Sequence, residues 1–310
     1  MQKKYNSYLE NPKADNDTAI IYYTDNGYLP ILHISLISLL EHVSKNTYYD
    51  IIILHDGIDK ADQELFLVLA DGRYNVSIRF FDCRYFCFHL YKLPEQYPKA
   101  FYARLFVPWI LKGYSRAVCL GADTIILTDI AELGEWHIPA GTYVIANNYL
   151  DTRGGTSKDC LDMDVCVLNL AKIRESFTCE KTAHLVEKAA RFTRDCELLW
   201  KLAGHNYNRL KAVWNVVPAE VRYKKKAAVL EQAKVLHYRG SEKPWMIPDA
   251  FMAECWWKYA RQSNYYEEIL RRLCICSNDT RSLIRKTGDY LFPKGTRKRE
   301  LVKKVLHVHR

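Results

Sequence analysis

Short apolar runs alternate with longer amphipathic segments between residues 19 and 130. Apolar runs rich in β-branched residues are typical of buried strands, and apolar positions that repeat every three or four residues are typical of helices. The predicted strands are residues 19–23, 50–54, 77–81, 118–120 and 125–127. The predicted helices are residues 31–43, 59–70 and 98–111, of which the last is interrupted by Pro108. This alternation predicts an α/β fold with a mostly parallel central sheet.

The pattern is less regular in the second half of the chain. Strands are predicted at residues 143–146, 164–170 and 213–217, and helices at residues 181–194 and 197–202. Residues 151–161 are polar and rich in glycine, so we expect a loop there. The whole pattern divides the chain into a polar N-terminal arm (1–18), a main domain (19–250) and a helical, basic C-terminal region (251–310).

Asp123 lies between two of the predicted strands, at the end of the segment Gly121-Ala122-Asp123. Ligands of open α/β sheets bind just outside the ends of the strands, where this carboxylate is expected. A buried carboxylate is costly unless it is paired or binds a metal. Asp123 is therefore a candidate ligand-binding residue, and the alternative is that it only caps a turn.

The ten cysteines are scattered and lack the spacing of a metal site. Cys119 and Cys166 lie inside apolar runs, so we expect reduced, buried thiols of the kind found in cytoplasmic proteins. The polar N-terminus leads us to expect no signal peptide. No apolar run is long enough to predict a membrane span. These features together predict a cytoplasmic protein.

Positive charge is concentrated near the C-terminus. Residues 281–310 contain ten Lys and Arg residues against Asp289 and Glu300, which gives +8 of the total net charge of +9. From Arg297 onward, apolar residues recur at helical spacing among basic ones, a pattern typical of an amphipathic helix on an anionic membrane surface. The alternatives are a solvated tail and a tail that binds nucleic acid. Few aromatic residues lie among these charges, so we expect no nucleic-acid partner.

Five segments, taken in order, carry a resemblance to a known family. They are Asp25-Asn26 after the first strand, Tyr102-Ala103-Arg104-Leu105, LGADTIILTDIAEL (120–133), VCVLNLAKIRE (165–175) and HYRGSEKPW (237–245). Together they resemble glycosyltransferase family 8, over about residues 19–250. The last segment is similar to the HxxGxxKPW turn of that family and is the most specific of the five.

The resemblance implies a GT-A-type nucleotide-sugar-binding fold, a UDP-sugar donor, and transfer with retention at the anomeric carbon. It also implies a divalent cation, Mn²⁺ or Mg²⁺, held by Asp123 and His237. Such a cation stabilises the negative charge that grows on a diphosphate leaving group. The implied donor-binding residues are Thr24, Asp25, Asn26, Arg104, Ala122, Asp123, Gly240 and Lys243. The implied catalytic residues are Asp195, Cys196 and Glu197.

Several of these residues also have an ordinary structural alternative. His237 could be a core or capping histidine, and Arg104 could be a helix-surface residue. Asp195 could cap the helix that follows it, which is a common use of Asp. Asp25 and Asn26 could be turn residues only.

Three departures from the family pattern concern the expected site. Gly121 stands where the family has the first Asp of its DxD motif, so one carboxylate is missing. The stretch 162–164 reads Asp-Met-Asp in place of Asn-Ala-Gly, and either Asp162 or Asp164 could restore that carboxylate. The stretch 195–197 reads Asp-Cys-Glu in place of Asp-Gln-Asp, which puts a thiol where relatives have an amide. With one carboxylate fewer, we expect weak metal binding, and tighter binding in Gly121→Asp.

The predicted function is that of a retaining hexosyltransferase that moves glucose or galactose from a UDP-sugar to a glycan or lipid-linked acceptor. The resemblance implies bacterial surface polysaccharide synthesis, with the protein peripherally bound at the cytoplasmic face of the membrane. The alternative is a degenerate relative that binds a nucleotide sugar without turnover and acts as a partner subunit. The missing carboxylate favours the alternative, whereas the intact HYRGSEKPW, Arg104 and Asp195 favour an active enzyme.

Overall fold

A seven-stranded sheet organises the part of the chain that the computed structural model describes, namely residues 18–86, 99–150, 156–189, 193–224 and 227–274. The strands are β1 (Thr18–Thr24), β2 (Tyr49–His55), β3 (Val76–Asp82), β4 (Arg116–Leu120), β5 (Thr124–Ile126), β6 (Val144–Leu150), β7 (Thr156–Asn169), β8 (Tyr207–Asn208) and β9 (Val235–His237). Their order in the sheet is β3-β2-β1-β4-β7-β6-β8, and β5 pairs with β9 separately.

Helices and short 3₁₀ segments connect these strands. The α-helices are α1 (Leu29–Glu41), α2 (Lys60–Leu67), α3 (Cys83–Phe86), α4 (Val107–Ile110), α5 (Ala131–Gly134), α6 (Leu170–Ser176), α7 (Cys179–Glu187), α8 (Asp195–Ala203), α9 (Pro218–Lys224), α10 (Ala227–Glu231) and α11 (Ala253–Ala260). The 3₁₀ segments are Val68–Ala70, Lys99–Phe106 and Ala212–Trp214. The chain divides into two compact units, Met1–Asn264 and Tyr265–Arg310, and the sheet belongs to the first. In the second unit, residues 266–274 are helical.

The sheet is parallel from β3 to β4 and antiparallel where β7 pairs with its two neighbours, and the short strand β8 is parallel to β6. Strand β1 lies between β2 and β4 and is parallel to both, and β2 is parallel to β3. Strand β7 runs antiparallel to both β4 and β6. Every residue of β2 is buried, which is the pattern of a parallel strand covered on both faces. Because β1 and β4 are parallel neighbours, their carboxyl ends lie at the same edge of the sheet, where ligands of open α/β sheets bind.

Helix α1 is buried along nearly its whole length and fixes the position of β5. Ser35 Oγ lies within hydrogen-bonding distance of the hydroxyls of Tyr22 in β1 (3.2 Å) and Thr124 in β5 (3.0 Å). Ser38 Oγ accepts a hydrogen bond of 2.9 Å from the backbone N–H of Ile126. Because buried polar groups require such partners, these bonds specify where β5 begins.

Most of the predicted α/β elements are confirmed. The strands predicted at 19–23, 50–54, 77–81 and 118–120 are β1 to β4, each extended or shifted by one or two residues. The strand at 125–127 corresponds to β5, and the strand at 143–146 to the first part of β6. The helices predicted at 31–43, 59–70 and 197–202 correspond to α1, to α2 with its 3₁₀ extension, and to α8.

The interrupted helix expected at residues 98–111 corresponds to a 3₁₀ segment followed by α4, with Pro108 in the first turn of α4. Proline is favoured in the first turn because its missing N–H is not needed there. Other local predictions were wrong. The strand predicted at 213–217 is a 3₁₀ turn followed by a single bridge from Val216 to Leu236. The helix predicted at 181–194 ends at Glu187.

The loop predicted at 151–161 is also wrong in its second half, because β7 begins at Thr156. Strand β6 pairs with it through Leu150 opposite Thr156. The strand was not predicted because the segment is polar. Its structure is decided by backbone pairing with β6, which composition does not reveal. The pairing of β6 with β7 also contains register shifts between Ala146 and Leu150 of β6. Such irregularities redirect side chains and are frequent beside active sites.

A disulfide joins Cys160 of β7 to Cys196 of α8, with the two Cα atoms 4.8 Å apart. The expectation that the cysteines are reduced is therefore wrong for this pair. The bond was not visible in the sequence because its partners are 36 residues apart and only the packing of α8 against β7 brings them together. The free cysteines in the described ranges are Cys83, Cys119, Cys166, Cys179, Cys255 and Cys274.

Reduction of this disulfide is expected to lower the free energy of unfolding by about 3–4 kcal/mol, because a loop of this length gains closure entropy in the unfolded chain. Peptide mapping without reductant should recover residues 160 and 196 in one crosslinked species. Denaturant unfolding with and without dithiothreitol measures the change, and the variant with both cysteines replaced by serine should not respond to the reductant. Alkylation of both thiols in the unreduced, denatured protein would contradict the assignment.

Within the described residues, no helix has the length and apolar character needed to cross a membrane. The predicted N-terminal arm and the predicted basic amphipathic helix after Arg297 lie outside the described residues.

Candidate functional site

The turn between β4 and β5 joins two strand pairs, β4 with β7 and β5 with β9. In the pairing of β4 with β7, Leu120 lies opposite Val165, which places Asp164 beside Gly121. In the pairing of β5 with β9, Thr124 lies opposite His237. The two registers therefore place Asp123, Asp164 and His237 around one point.

These three side chains form a cluster of metal-ligating groups. Asp123 Oδ1 lies 3.3 Å and Asp164 Oδ2 lies 3.9 Å from Nε2 of His237, and one ligand atom from each residue lies within 4.8 Å of the others. Adjacent oxygen and nitrogen ligands of a small divalent cation are about 3 Å apart, so a modest contraction accommodates one ion. Two carboxylates and one imidazole suit Mn²⁺ or Mg²⁺ better than a soft metal.

The imidazole of His237 is buried and held from behind. Its Nδ1 lies 3.0 Å from Oδ1 of Asn215 and 3.7 Å from Oδ2 of Asp162. Asp162 in turn accepts hydrogen bonds from Asn215 (2.9 Å) and from Arg239 (3.1 Å). Partners of this kind orient a ligating imidazole, so Nε2 is left facing the two carboxylates of the cluster. Asp162 therefore supports the cluster, whereas Asp164 belongs to it.

Lys243 lies on the other side of Asp123. Its Nζ donates hydrogen bonds to Oδ2 of Asp123 (2.6 Å) and to the backbone oxygen of Tyr238 (2.8 Å). Burial opposes ionisation of Asp123, but Lys243 and His237 outweigh it and hold the pKa of that carboxyl well below its usual value. Burial alone would lower the pKa of Lys243, whereas the neighbouring Asp123 raises it. Lys243 is therefore a fixed positive charge at the cluster.

Arg104 connects the cluster to the start of α8. Its guanidinium donates a hydrogen bond of 2.6 Å to Oδ1 of Asp164 and lies 2.5 Å from Oδ2 of Asp195. Burial raises the pKa of Asp195 to about 6, although the charge of Arg104 opposes that rise. Arg104 lies in the 3₁₀ segment and is buried, so the alternative that it is an ordinary surface arginine is wrong.

The two residues after Asp195 differ in their surroundings. Cys196 is bonded to Cys160, so the free thiol expected in place of the family's amide is absent at this position. Glu197 is partly exposed and pairs with Arg194 at 3.1 Å. Asp195 is thus the acidic side chain of this stretch that faces the buried charges of the site.

The remaining predicted donor-binding residues lie on nearby turns. Thr24 ends β1, and Asp25 caps the following turn by accepting the backbone N–H of Tyr28 at 3.0 Å. Asn26 is exposed in this turn, and Ala122 is buried between β4 and β5. Gly240 has a φ of 86°, a left-handed conformation that favours glycine. Their role as donor contacts stays a prediction.

Sequence reasoning did not identify Asn215 or Arg239. Asn215 follows a 3₁₀ turn and belongs to no recognisable motif, so no signal in the sequence points to it. Arg239 lies inside the HYRGSEKPW segment but at a position that the motif leaves variable. Besides Asp162, it pairs with Glu220. The structure thus adds Asn215 and Arg239 to the site, as polar side chains that hold His237 and Asp162 in place.

Comparison with known proteins identifies the family of the chain. The model of Glycosyl transferase family 8 matches residues 19–247. A glycosyltransferase-like protein of Haemophilus influenzae is 21% identical over 243 residues, which cover 73% of this chain and 72% of that protein.

Solved structures share the fold. The apo structure of the bifunctional glycosyltransferase WbbM has a TM-score of 0.73 at 21% identity, covering 84% of this chain and 52% of WbbM, so the chain spans about half of that protein. The galactosyltransferase LgtC, solved in complex with donor and acceptor sugar analogues, has a TM-score of 0.61 at 17% identity, covering 79% of this chain and 96% of LgtC. The fold is of the GT-A type, and the chain belongs to glycosyltransferase family 8.

Proposed function

We propose that the chain is a metal-dependent retaining glycosyltransferase that uses a UDP-sugar as donor. The observation that carries the proposal is the cluster of Asp123, Asp164 and His237 with Lys243 beside it. A divalent cation bound there supplies positive charge to the diphosphate leaving group. The cluster has the ligand chemistry for Mn²⁺, with Mg²⁺ as the second choice.

The protein's own groups complete a diphosphate site. Lys243 is a compact point charge, which suits contact with phosphate oxygens. Gly240 lets the backbone of the turn approach the diphosphate closely, since no side chain intervenes. Thr24 ends β1, and Asp25 and Asn26 lie on the turn that follows; these three residues are assigned to the uridine. Ala122 is assigned to the donor through the backbone of the β4–β5 turn.

The donor sugar is assigned to the space beside Asp195. Its carboxylate is 2% exposed and pairs with Arg104, which also holds Asp164 of the cluster. A carboxylate fixed in this way can accept hydrogen bonds from sugar hydroxyls and stabilise positive charge at the anomeric carbon as the leaving group departs. Arg104 prevents Asp195 from being left as an isolated buried charge.

The sugar proposed to be transferred is a hexose, glucose or galactose. LgtC is a galactosyltransferase and binds donor and acceptor sugar analogues, which supports a hexose donor and a glycan acceptor for the present fold. A lipid-linked glycan of bacterial surface polysaccharide synthesis is the proposed acceptor. The basic tail after Arg297, outside the described residues, is proposed to hold the protein at the anionic cytoplasmic face of the membrane. The Cys160–Cys196 bond weighs against this cytoplasmic location, because the cytoplasm keeps most thiols reduced.

Removal of metal tests this function directly. Purified protein freed of metal by a chelator is expected to release no UDP from UDP-glucose or UDP-galactose, and added Mn²⁺ is expected to restore release from one of them. The reason is that the diphosphate charge is then opposed by Lys243 alone. A coupled assay for UDP measures the release. Full turnover in the chelated protein would overturn metal dependence.

The degenerate partner subunit remains the second candidate, and Gly121 is the feature that favours it, because the expected carboxylate is absent there. The two candidates give different results with the same protein. Binding of UDP and Mn²⁺ in calorimetry without UDP release from either sugar nucleotide would support the subunit, whereas release supports the enzyme.

A further inference from the structure

Gly121 directly follows β4 and faces Asp164 of β7. The backbone N–H of Gly121 donates a hydrogen bond of 2.7 Å to the backbone oxygen of Asp164. A Cβ atom added at position 121 would lie 2.7 Å from Cβ and 3.1 Å from Cγ of Asp164. Real Cβ atoms essentially never approach other atoms so closely, so a side chain at position 121 would force Asp164 or the backbone to move.

The same added Cβ would lie 2.9 Å from Oδ1 of Asp123. A side chain at position 121 would therefore enter the cluster from the β4 side, into the space that Asp164 fills from the β7 side. The two positions are alternative origins for a carboxylate at the same place. The expectation that Gly121→Asp tightens metal binding conflicts with this geometry.

Arg104 holds Asp164 in the orientation that the cluster needs. It takes Oδ1 of Asp164 at 2.6 Å, which leaves Oδ2 facing Nε2 of His237. The Asp164 side chain is 29% exposed, whereas that of Arg104 is 9% exposed, so the arginine is the better fixed of the two. A ligand held by one oxygen and free at the other is oriented for coordination.

We propose that the carboxylate missing at position 121 is supplied from Asp164 across the strand pair, that Gly121 is required to leave room for it, and that Arg104 is its positioning residue. This inference rests on the proposed metal site. Gly121 and Asp164 then behave as one exchangeable pair, in which a carboxylate at either position completes the site and carboxylates at both positions disrupt it.

Four variants test the exchange. Asp164→Gly is expected to weaken Mn²⁺ binding at least ~10-fold, because a ligand is lost. Gly121→Asp is expected to weaken binding as well, because two side chains compete for one space. The double variant Gly121→Asp/Asp164→Gly is expected to regain most of the affinity. Its matched control, Gly121→Ala/Asp164→Gly, fills the same space without a carboxylate and should stay weak.

Mn²⁺ affinity is measured by electron paramagnetic resonance without nucleotide, so the readout does not depend on turnover. Tighter binding in Gly121→Asp, unchanged binding in Asp164→Gly, or equal affinities of the two double variants would each overturn the inference. If a single variant fails to fold in circular dichroism, the comparison of the two double variants still decides. Absence of Mn²⁺ binding by the wild-type protein would instead overturn the proposed function.

Arg104 gives an independent test of the same inference. Arg104→Met is expected to weaken Mn²⁺ binding without nucleotide by about 10-fold, and Arg104→Lys is expected to recover part of it, because a cation again reaches Asp164. A residue that only contacts the donor would leave this affinity unchanged. Unchanged Mn²⁺ affinity in Arg104→Met would therefore contradict the positioning role.

Discussion

Asp123→Ala is expected to abolish Mn²⁺-dependent UDP binding, with a loss on the order of 100-fold or more in the affinity for the metal. Asp123 contributes one oxygen to the cluster, 3.3 Å from His237, and the other to Lys243 at 2.6 Å. Its removal takes away a ligand and leaves Lys243 without its carboxylate partner. Isothermal titration calorimetry with UDP, with and without Mn²⁺, measures the effect. His237→Ala should give the same loss, since the imidazole is the central member of the cluster.

Asp129→Asn is a matched control for this change. Asp129 lies six residues later in the same segment, is partly buried, and accepts hydrogen bonds from Tyr49 (2.7 Å) and from the backbone of Ala131 (2.9 Å). Its replacement should affect stability but not metal-dependent UDP binding. Normal binding of UDP and Mn²⁺ by Asp123→Ala would show that the metal assignment is wrong.

Asp195→Asn is expected to lower kcat by about 100-fold or more while UDP and Mn²⁺ still bind. The asparagine keeps the shape of the side chain but removes the negative charge proposed to face the anomeric carbon. The pH profile adds a second readout. The pKa of Asp195 is about 6, so wild-type kcat should fall as the pH drops through that value, and the remaining activity of Asp195→Asn should lack this limb.

Asp59→Asn controls for the loss of a carboxylate at the start of a helix. Asp59 caps α2 by accepting the backbone N–H of Asp62 at 2.8 Å, whereas Asp195 is the first residue of α8 and accepts the N–H of the next residue, Cys196, at 2.8 Å. Its replacement should lower stability without changing kcat. A kcat for Asp195→Asn close to that of the wild type would remove Asp195 from the reaction.

The parallel half of the sheet was readable from the sequence because its physical cause is local. Strands buried on both faces, such as β2, are nearly continuous apolar runs, and this pattern can be read in the sequence itself. The first part of β7 was missed because its polar residues acquire a strand conformation only through pairing with β6. The disulfide was missed for a similar reason, since proximity across 36 residues is a property of the packing.

The candidate site was predictable as far as its motifs reached. Asp123 and His237 lie in segments that resemble the family, and the structure places them 3.3 Å apart. Asp164 and Asp162 could not be distinguished from sequence, because their roles depend on which side chain turns toward Nε2 of His237. Asn215 carries no sequence signal at all, since it reaches Nδ1 of His237 through the fold alone.

The facing positions Gly121 and Asp164 also affect how sequences of this kind should be compared. A signature that counts acidic residues within one continuous segment scores this chain as lacking a carboxylate and would class it as inactive. If a carboxylate can come from either position, selection acts on two positions together. In this chain they are 43 residues apart (164 − 121). Related chains that lack an acidic residue at the position of Gly121 should then have one at the position of Asp164, together with a small residue at the position of Gly121.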